Sequence, residues 1–425
     1  MNSKIQKDIK ELVAEQVITK ETASNIESYY QSKQRNLSSK LLTIFAVLGS
    51  TLVGLGIILI LAHNWDDFSR TIKTVFAFIP LMIGQVIAGY SIIKNKGTAW
   101  KEASGVFLFF AVGASIALVS QIYNISGDLS QYLLTWILLS LPLVYLLKSN
   151  ALVILQIVFI TSYVCNLSYF SGNKTPWMYC VLLVSLLPHY YKLLKHKALH
   201  NITSVFNWLM PLSIIIVMGA FIKGGDNFWF LIYMLLFGIL YGIGKIPFFN
   251  NQKLRRNGYL VLGSLGTVYM LLLSSFDWLW EGVFKREMNF NSQAFYVALI
   301  LFCLVILLLV YSYSKKWIRD FNLFRYTPIF FTLFFIISSF SPGISIILVN
   351  LLVLILGIMV VKTGADTLHF GVLNYGLLII TALIVCRFFD TDISFVLRGL
   401  LFVGVGIAFF ITNYIMIKKQ RTLKK

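Results

Sequence analysis

Charge is what this sequence lacks. Asp, Glu, Lys and Arg make up 12% of its 425 residues, against about 25% in an ordinary soluble domain. A soluble chain that is 58% hydrophobic would have too little polar surface to cover its core. Acidic residues are the scarcer sign, 17 against 36 Lys and Arg. None falls near the middle of a long apolar run, where proton-coupled carriers usually need one. Cysteine is rare too. Cys165, Cys180, Cys303 and Cys386 lie inside apolar runs with no Cys-x-x-Cys pair, which argues against a disulfide framework and makes them small buried hydrophobes. There is no P-loop, no His-Glu-x-x-His and no Gly-x-Ser-x-Gly, so the common signatures of nucleotide, zinc-peptidase and serine-hydrolase chemistry are missing. His196 and His200 share a four-residue spacing, but the lysines around them would repel a cation. No metal and no cofactor is expected. The first 40 residues are polar and the first apolar run is 22 residues long, so that run reads as a retained span and not a cleaved leader.

What the chain has instead is long apolar runs. A membrane crossing takes about 20 apolar residues. The runs fall at roughly 41–62, 72–93, 104–123, 132–147, 151–170, 175–191, 203–222, 228–246, 258–276, 294–314, 326–340, 344–361, 368–387 and 395–417. This predicts an all-α polytopic transmembrane bundle of about 14 spans. The pair at 326–361 is divided only by Ser341-Pro342-Gly343, a tight turn that a re-entrant pair would also suit. Ahead of the spans, Ile5, Ile9, Leu12 and Val13 recur at helical spacing, Thr19 can cap a second helix with Glu21 in its first turn, and Ala23, Ile26 and Tyr30 give that helix an apolar face. The expected domains are a cytosolic helical hairpin at 1–36, a membrane domain at 41–417 and a basic tail at 418–425. Leu48-Gly49-Ser50 in the first span echoes Leu262-Gly263-Ser264 in the ninth, as an internal repeat would.

The cations are not spread evenly. Assigning connectors alternately to two sides puts 28 of the 36 Lys and Arg on one side. Cytoplasmic connectors carry the excess of Lys and Arg, so both termini are placed in the cytoplasm. The net charge of +19 then reports orientation, and nucleic acid is not an expected partner. The lipid bilayer is. Uncharged polar residues sit in the spans: Gln85, Gln156, Asn207, Asn350, Asn374 and Asn413, a set that interhelical hydrogen bonding would explain.

Polar motifs cluster on the opposite, outer side. His63, Asn64, Trp65 and Asp66 follow the first span. Ser120 to Asp128, with Gln121 and Tyr123, closes the third, and Trp136 lies early in the fourth. Arg387, Asp390, Asp392 and Arg398 bracket the last outer connector. As a ligand cluster, His63, Asp66 and Asp128 would bind a cation or exchange protons, and Arg387 and Arg398 would grip a phosphate. As plain structure, Trp65 and Trp136 are belt anchors and the aspartates cap helix ends. The stretches Gly54 to Asp66 and Ser120 to Asp128, with Trp136, Pro142 and the N-terminal hairpin, resemble the domain-of-unknown-function 2157 family of membrane proteins, most clearly over residues 1–150. The resemblance implies a bacterial inner-membrane protein and supplies no catalytic residue. Three functions stay open: a carrier or flippase-like permease for a polar or lipid-linked solute, an outer-face enzyme of envelope glycan or lipid assembly, and a non-catalytic scaffold or sensor.

Overall fold

The apolar runs fold as helices, because a helix satisfies every backbone N–H and C=O within its own segment. The computed structural model describes residues 9, 11–15, 17–63, 69–170, 175–222, 227–284, 289–318 and 321–390, with separate helical positions between 399 and 417. No strand occurs among the described residues. Thirteen of the fourteen expected spans each coincide with a helix. The last, 395–417, is described only at separate positions, and most of the hairpin's first arm lies outside the described residues. Among the described residues, eight helices are long and apolar enough to cross a membrane, and four further apolar segments are shorter. The chain divides into two units, residues 1–170 with 178–192 and residues 171–177 with 193–425.

The first unit is built from α1 (Lys20–His63), α2 (Arg70–Ile93), α3 (Thr98–Ile122), α4 (Leu129–Leu147), α5 (Asn150–Cys165) and most of α6 (Met178–His196). Helix α1 begins where expected, with the Thr22 N–H donating to Thr19 Oγ1 at 3.2 Å. It then runs through residues 37–40 without a break, so the hairpin's second arm and the first span are one helix. Helix α3 is the centre of the unit. It packs against α1, α2, α4 and α5, and Gly105, Ala111, Gly113, Ala114 and Ser115 keep its surface narrow enough for that. Ser115 donates to the Ala77 carbonyl of α2 at 2.6 Å. Gln156 of α5 donates to Ser140 Oγ of α4 at 2.9 Å, so this mid-span amide is an interhelical tie, as its residue type suggested.

One buried acid was not singled out from the sequence. Glu102, 4% exposed, sits on the N-terminus of α5. Its carboxylate accepts from the Ser149 hydroxyl, from Asn150 N at 3.0 Å, from Asn150 Nδ2 at 3.0 Å and from Ala151 N at 2.9 Å. Asn150 Oδ1 lies 3.1 Å from His189 Nε2 of α6. A carboxylate on free helix N–H groups is favoured by both hydrogen bonding and the helix dipole. Glu102→Gln replaces one acceptor oxygen with a donor facing donors. It is expected to lower stability by about 2–3 kcal/mol, read as a depressed melting temperature of the detergent-purified protein. An unchanged melting temperature would show that the carboxylate contributes nothing.

The second unit holds α7 (Asn201–Met218), α8 (Trp229–Gly244), α9 (Gly258–Leu273), the short α10 (Asp277–Phe284), α11 (Gln293–Ser314), α12 (Leu323–Ser338), α13 (Pro342–Asp366) and α14 (Phe370–Asp390). Helix α10 lies between the expected spans 258–276 and 294–314, where polarity alone indicates a connector. Helix α8 is buried on nearly all sides and packs on α9, α11 and α12, while α13 lies along α14. Pro342 starts α13 in its first turn, so Ser341-Pro342-Gly343 is the tight turn expected between α12 and α13. Asn207 donates to the Arg256 carbonyl at 2.8 Å, and Asn413 to Asn374 Oδ1 at 3.2 Å.

The expectation of buried cysteines fails: Cys180 and Cys303 are exposed, Cys165 and Cys386 half-buried. Cys180 and Cys303 face outward because an apolar helix in a bilayer needs no polar outer face. His196 and His200 fall on different elements, since α6 ends at His196 and His200 caps α7.

Candidate functional site

The first unit carries a groove of about 820 Å³ lined by α2, α3, α4 and the connector between α3 and α4. The connector is the Ser120 to Asp128 motif, and its residue types explain its shape. Helix α3 stops because Asn124 adopts a left-handed conformation, φ 51°, which asparagine tolerates better than most residues. The Ile125 N–H then donates to the Ser120 carbonyl at 2.9 Å, and the Ser120 hydroxyl to the Ile125 carbonyl at 2.9 Å. Asp128 starts α4 by accepting from Gln131 N at 2.7 Å. The motif is thus a rigid two-sided clasp at the groove's mouth.

Ser120, Ser126, Asp128 and Gln131 make that mouth polar. Deeper, Phe78, Leu81, Val112 and Leu139 make the walls apolar, with Gln85 set among them. At 1.5 Å per residue, Gln85 lies about 22 Å along α2 from its start at Arg70, and Leu139 about 15 Å along α4. The groove thus extends about 15–22 Å along its helices, against a hydrocarbon core about 30 Å thick. Tyr132 lines it as well and donates to the Gly113 carbonyl at 3.1 Å.

The candidate residues divide between the units. Asp128 is in the groove. Gln121 is exposed beside it, and the Tyr123 hydroxyl pairs with Thr74 Oγ1 at 3.2 Å. Trp136 is not a belt anchor. It is 6% exposed, its indole N–H donates to the Phe109 carbonyl at 2.8 Å, and its ring packs between Phe109 and Phe159. Arg387, in the second unit, donates to the carbonyl and hydroxyl of Ser275 at the end of α9 and stands over the Phe276 ring at 5.5 Å. Asn350 reaches the same Ser275 carbonyl at 3.4 Å. His63 closes α1 and Asp390 closes α14; their side chains, and all of Asn64, Trp65, Asp66, Asp392 and Arg398, lie outside the described residues. Gln131 and Tyr132 were not picked out from the sequence, and Ser126 only as part of the Ser120 to Asp128 motif. Asp128-x-x-Gln131 carries the signal that would have found Gln131, an N-cap with an amide at the third helical position.

Residues 10–153 match DUF2157, a family described as a predicted membrane protein. No curated protein and no solved structure matches the chain. The DUF2157 stretch runs from the N-terminal segment into the start of α5, so the whole groove and its clasp fall inside it. The DUF2157 match and the long apolar helices together make the chain a membrane protein.

Proposed function

We propose that this protein is a carrier or flippase-like permease for a polar or lipid-linked solute, and that the groove between α2, α3 and α4 holds the solute's polar part. The supporting observation is the pairing of a polar mouth with apolar walls that continue about 22 Å along α2 to Gln85. An amphiphile fits such a lining: its head group meets Asp128, Gln131 and Ser126, and its chain lies along Phe78 and Leu139. The cation asymmetry of the connectors supports an orientation with both termini cytoplasmic, in the inner membrane, and the groove's mouth outward. The outer-face enzyme draws no support from Asp128, whose carboxylate caps α4.

The test is water access at depth. In a background with all four cysteines replaced, Gln85→Cys and Thr135→Cys are expected to react with an impermeant maleimide added from outside. Val86→Cys, exposed at 67% but absent from the groove lining, is expected to stay unreacted in lipid. A Gln85→Cys protein as inert as Val86→Cys removes the groove as a solute path.

A further inference from the structure

The second unit contains a separate cavity of about 420 Å³. Its wall comes from the end of α8, the start of α9, residues 321–324 leading into α12, the last third of α13 and the start of α14. The connectors at this end are ones the alternation assigns to the cation-rich side. Lys245 lines the cavity, with its ammonium 5.8 Å from the Tyr241 ring centroid. Arg325 follows the lining residue Phe324 and acts electrostatically on both Lys245 and Tyr241. Both cations are half-buried. The groups that act on them are Tyr241, Tyr326 and, for Lys245, Arg325; no described carboxylate is among them. The remaining wall is mostly aliphatic, including Leu260, Leu265, Leu356 and Val360.

Two neighbouring cations partly withdrawn from water, with no carboxylate acting on them among the described residues, are unfavourable together. An anion between them relieves both costs. Arg offers a planar fork for phosphate oxygens and Lys a point charge. A free phosphate would leave the aliphatic wall unfilled, whereas a phosphate carrying an acyl chain fills both parts. Basic pockets between helices on the cytoplasmic side suit anionic lipid head groups for this reason. We propose that this cavity binds an anionic phospholipid, with its phosphate on Lys245 and Arg325 and its chain along Leu356 and Val360. This site is independent of the groove in the first unit.

Delipidated full-length protein, titrated in mild detergent with dioleoyl phosphatidylglycerol and read by native mass spectrometry, tests the assignment. Phosphatidylglycerol is expected to bind at least ~10-fold more tightly than phosphatidylcholine, about 1.4 kcal/mol. The double substitution Lys245→Gln/Arg325→Gln is expected to erase that preference, while Lys315→Gln/Lys316→Gln, which removes the same charge from an exposed connector, keeps it. Val360→Trp, which fills the aliphatic part and leaves both cations, is expected to weaken phosphatidylglycerol to a similar degree and decides the matter if the double variant does not fold. Equal affinity for the two lipids, an unchanged preference in either cavity variant, or displacement of phosphatidylglycerol by millimolar inorganic phosphate would overturn the proposal.

Discussion

Trp136→Ala is expected to lower the stability of the purified protein by about 3 kcal/mol or more. The indole occupies the centre of the first unit, with ring centroids 4.5 Å from Phe159, 5.1 Å from Phe109, 5.4 Å from Tyr132 and 6.1 Å from Phe110. Gly113 makes room for it: a Cβ there would lie 2.3 Å from an indole carbon. In a bilayer, exposing an apolar ring to lipid costs little, so the loss comes from packing and from the bond to the Phe109 carbonyl. Trp136→Phe weighs the two, because it keeps an aromatic ring in the site while removing the N–H together with the rest of the five-membered ring. It is expected to cost about 1 kcal/mol. Thermal unfolding in detergent reads both. If Trp136→Ala melts like the unsubstituted protein, the ring is peripheral after all, and the wall behind the groove is not rigid.

The misplacement of Trp136 has a local cause. Apolarity alone starts the fourth span at residue 132, which puts Trp136 in its first turn and so near the interface. The helix starts at Leu129, because Asp128 caps it, and Trp136 is then two turns inside. Helix existence was legible throughout, since run length decides it. Helix ends were not, because they depend on single capping side chains. Polar residues at 32–40 suggested a junction, yet that stretch holds neither proline nor glycine, and polarity alone does not end a helix. Ser120 to Asp128 was legible as a motif, but the groove behind it was not, since Gln85 and Leu139 are distant in sequence. Glu102 stayed hidden for the same reason: its partners lie nearly fifty residues away. The same limit applies to Leu48-Gly49-Ser50 and Leu262-Gly263-Ser264. The two triplets read alike, but a Cβ on Gly49 would meet nothing within 4 Å, whereas Gly263 is enclosed.

That contrast sets up a test in which a single methyl group changes sign. Glycine within a helix is about 1 kcal/mol less favourable than alanine, so Gly49→Ala is expected to be neutral or mildly stabilising. Gly263→Ala is expected to destabilise by about 3 kcal/mol. Its Cβ would stand 2.4 Å from the Tyr241 backbone nitrogen, 2.7 Å from the Tyr241 Cα and 2.9 Å from the Phe237 carbonyl oxygen. These are backbone atoms of α8, so no side chain can turn aside and the helices themselves must part. Small residues allow helices in membranes to approach this closely, where dispersion and not water expulsion holds them together. One turn away, a Cβ on Gly244 would stand 2.5 Å from the Leu260 backbone nitrogen, so Gly244→Ala is expected to act in the same direction. Displacing α8 from α9 would also move Tyr241, Lys245 and Leu260, all of which line the cationic cavity. Gly263→Ala should therefore reduce phosphatidylglycerol binding along with stability, while Gly49→Ala leaves it intact. Equal melting temperatures for the two variants would mean that α8 and α9 do not meet along their backbones, and the cavity built on their contact would have to be redrawn.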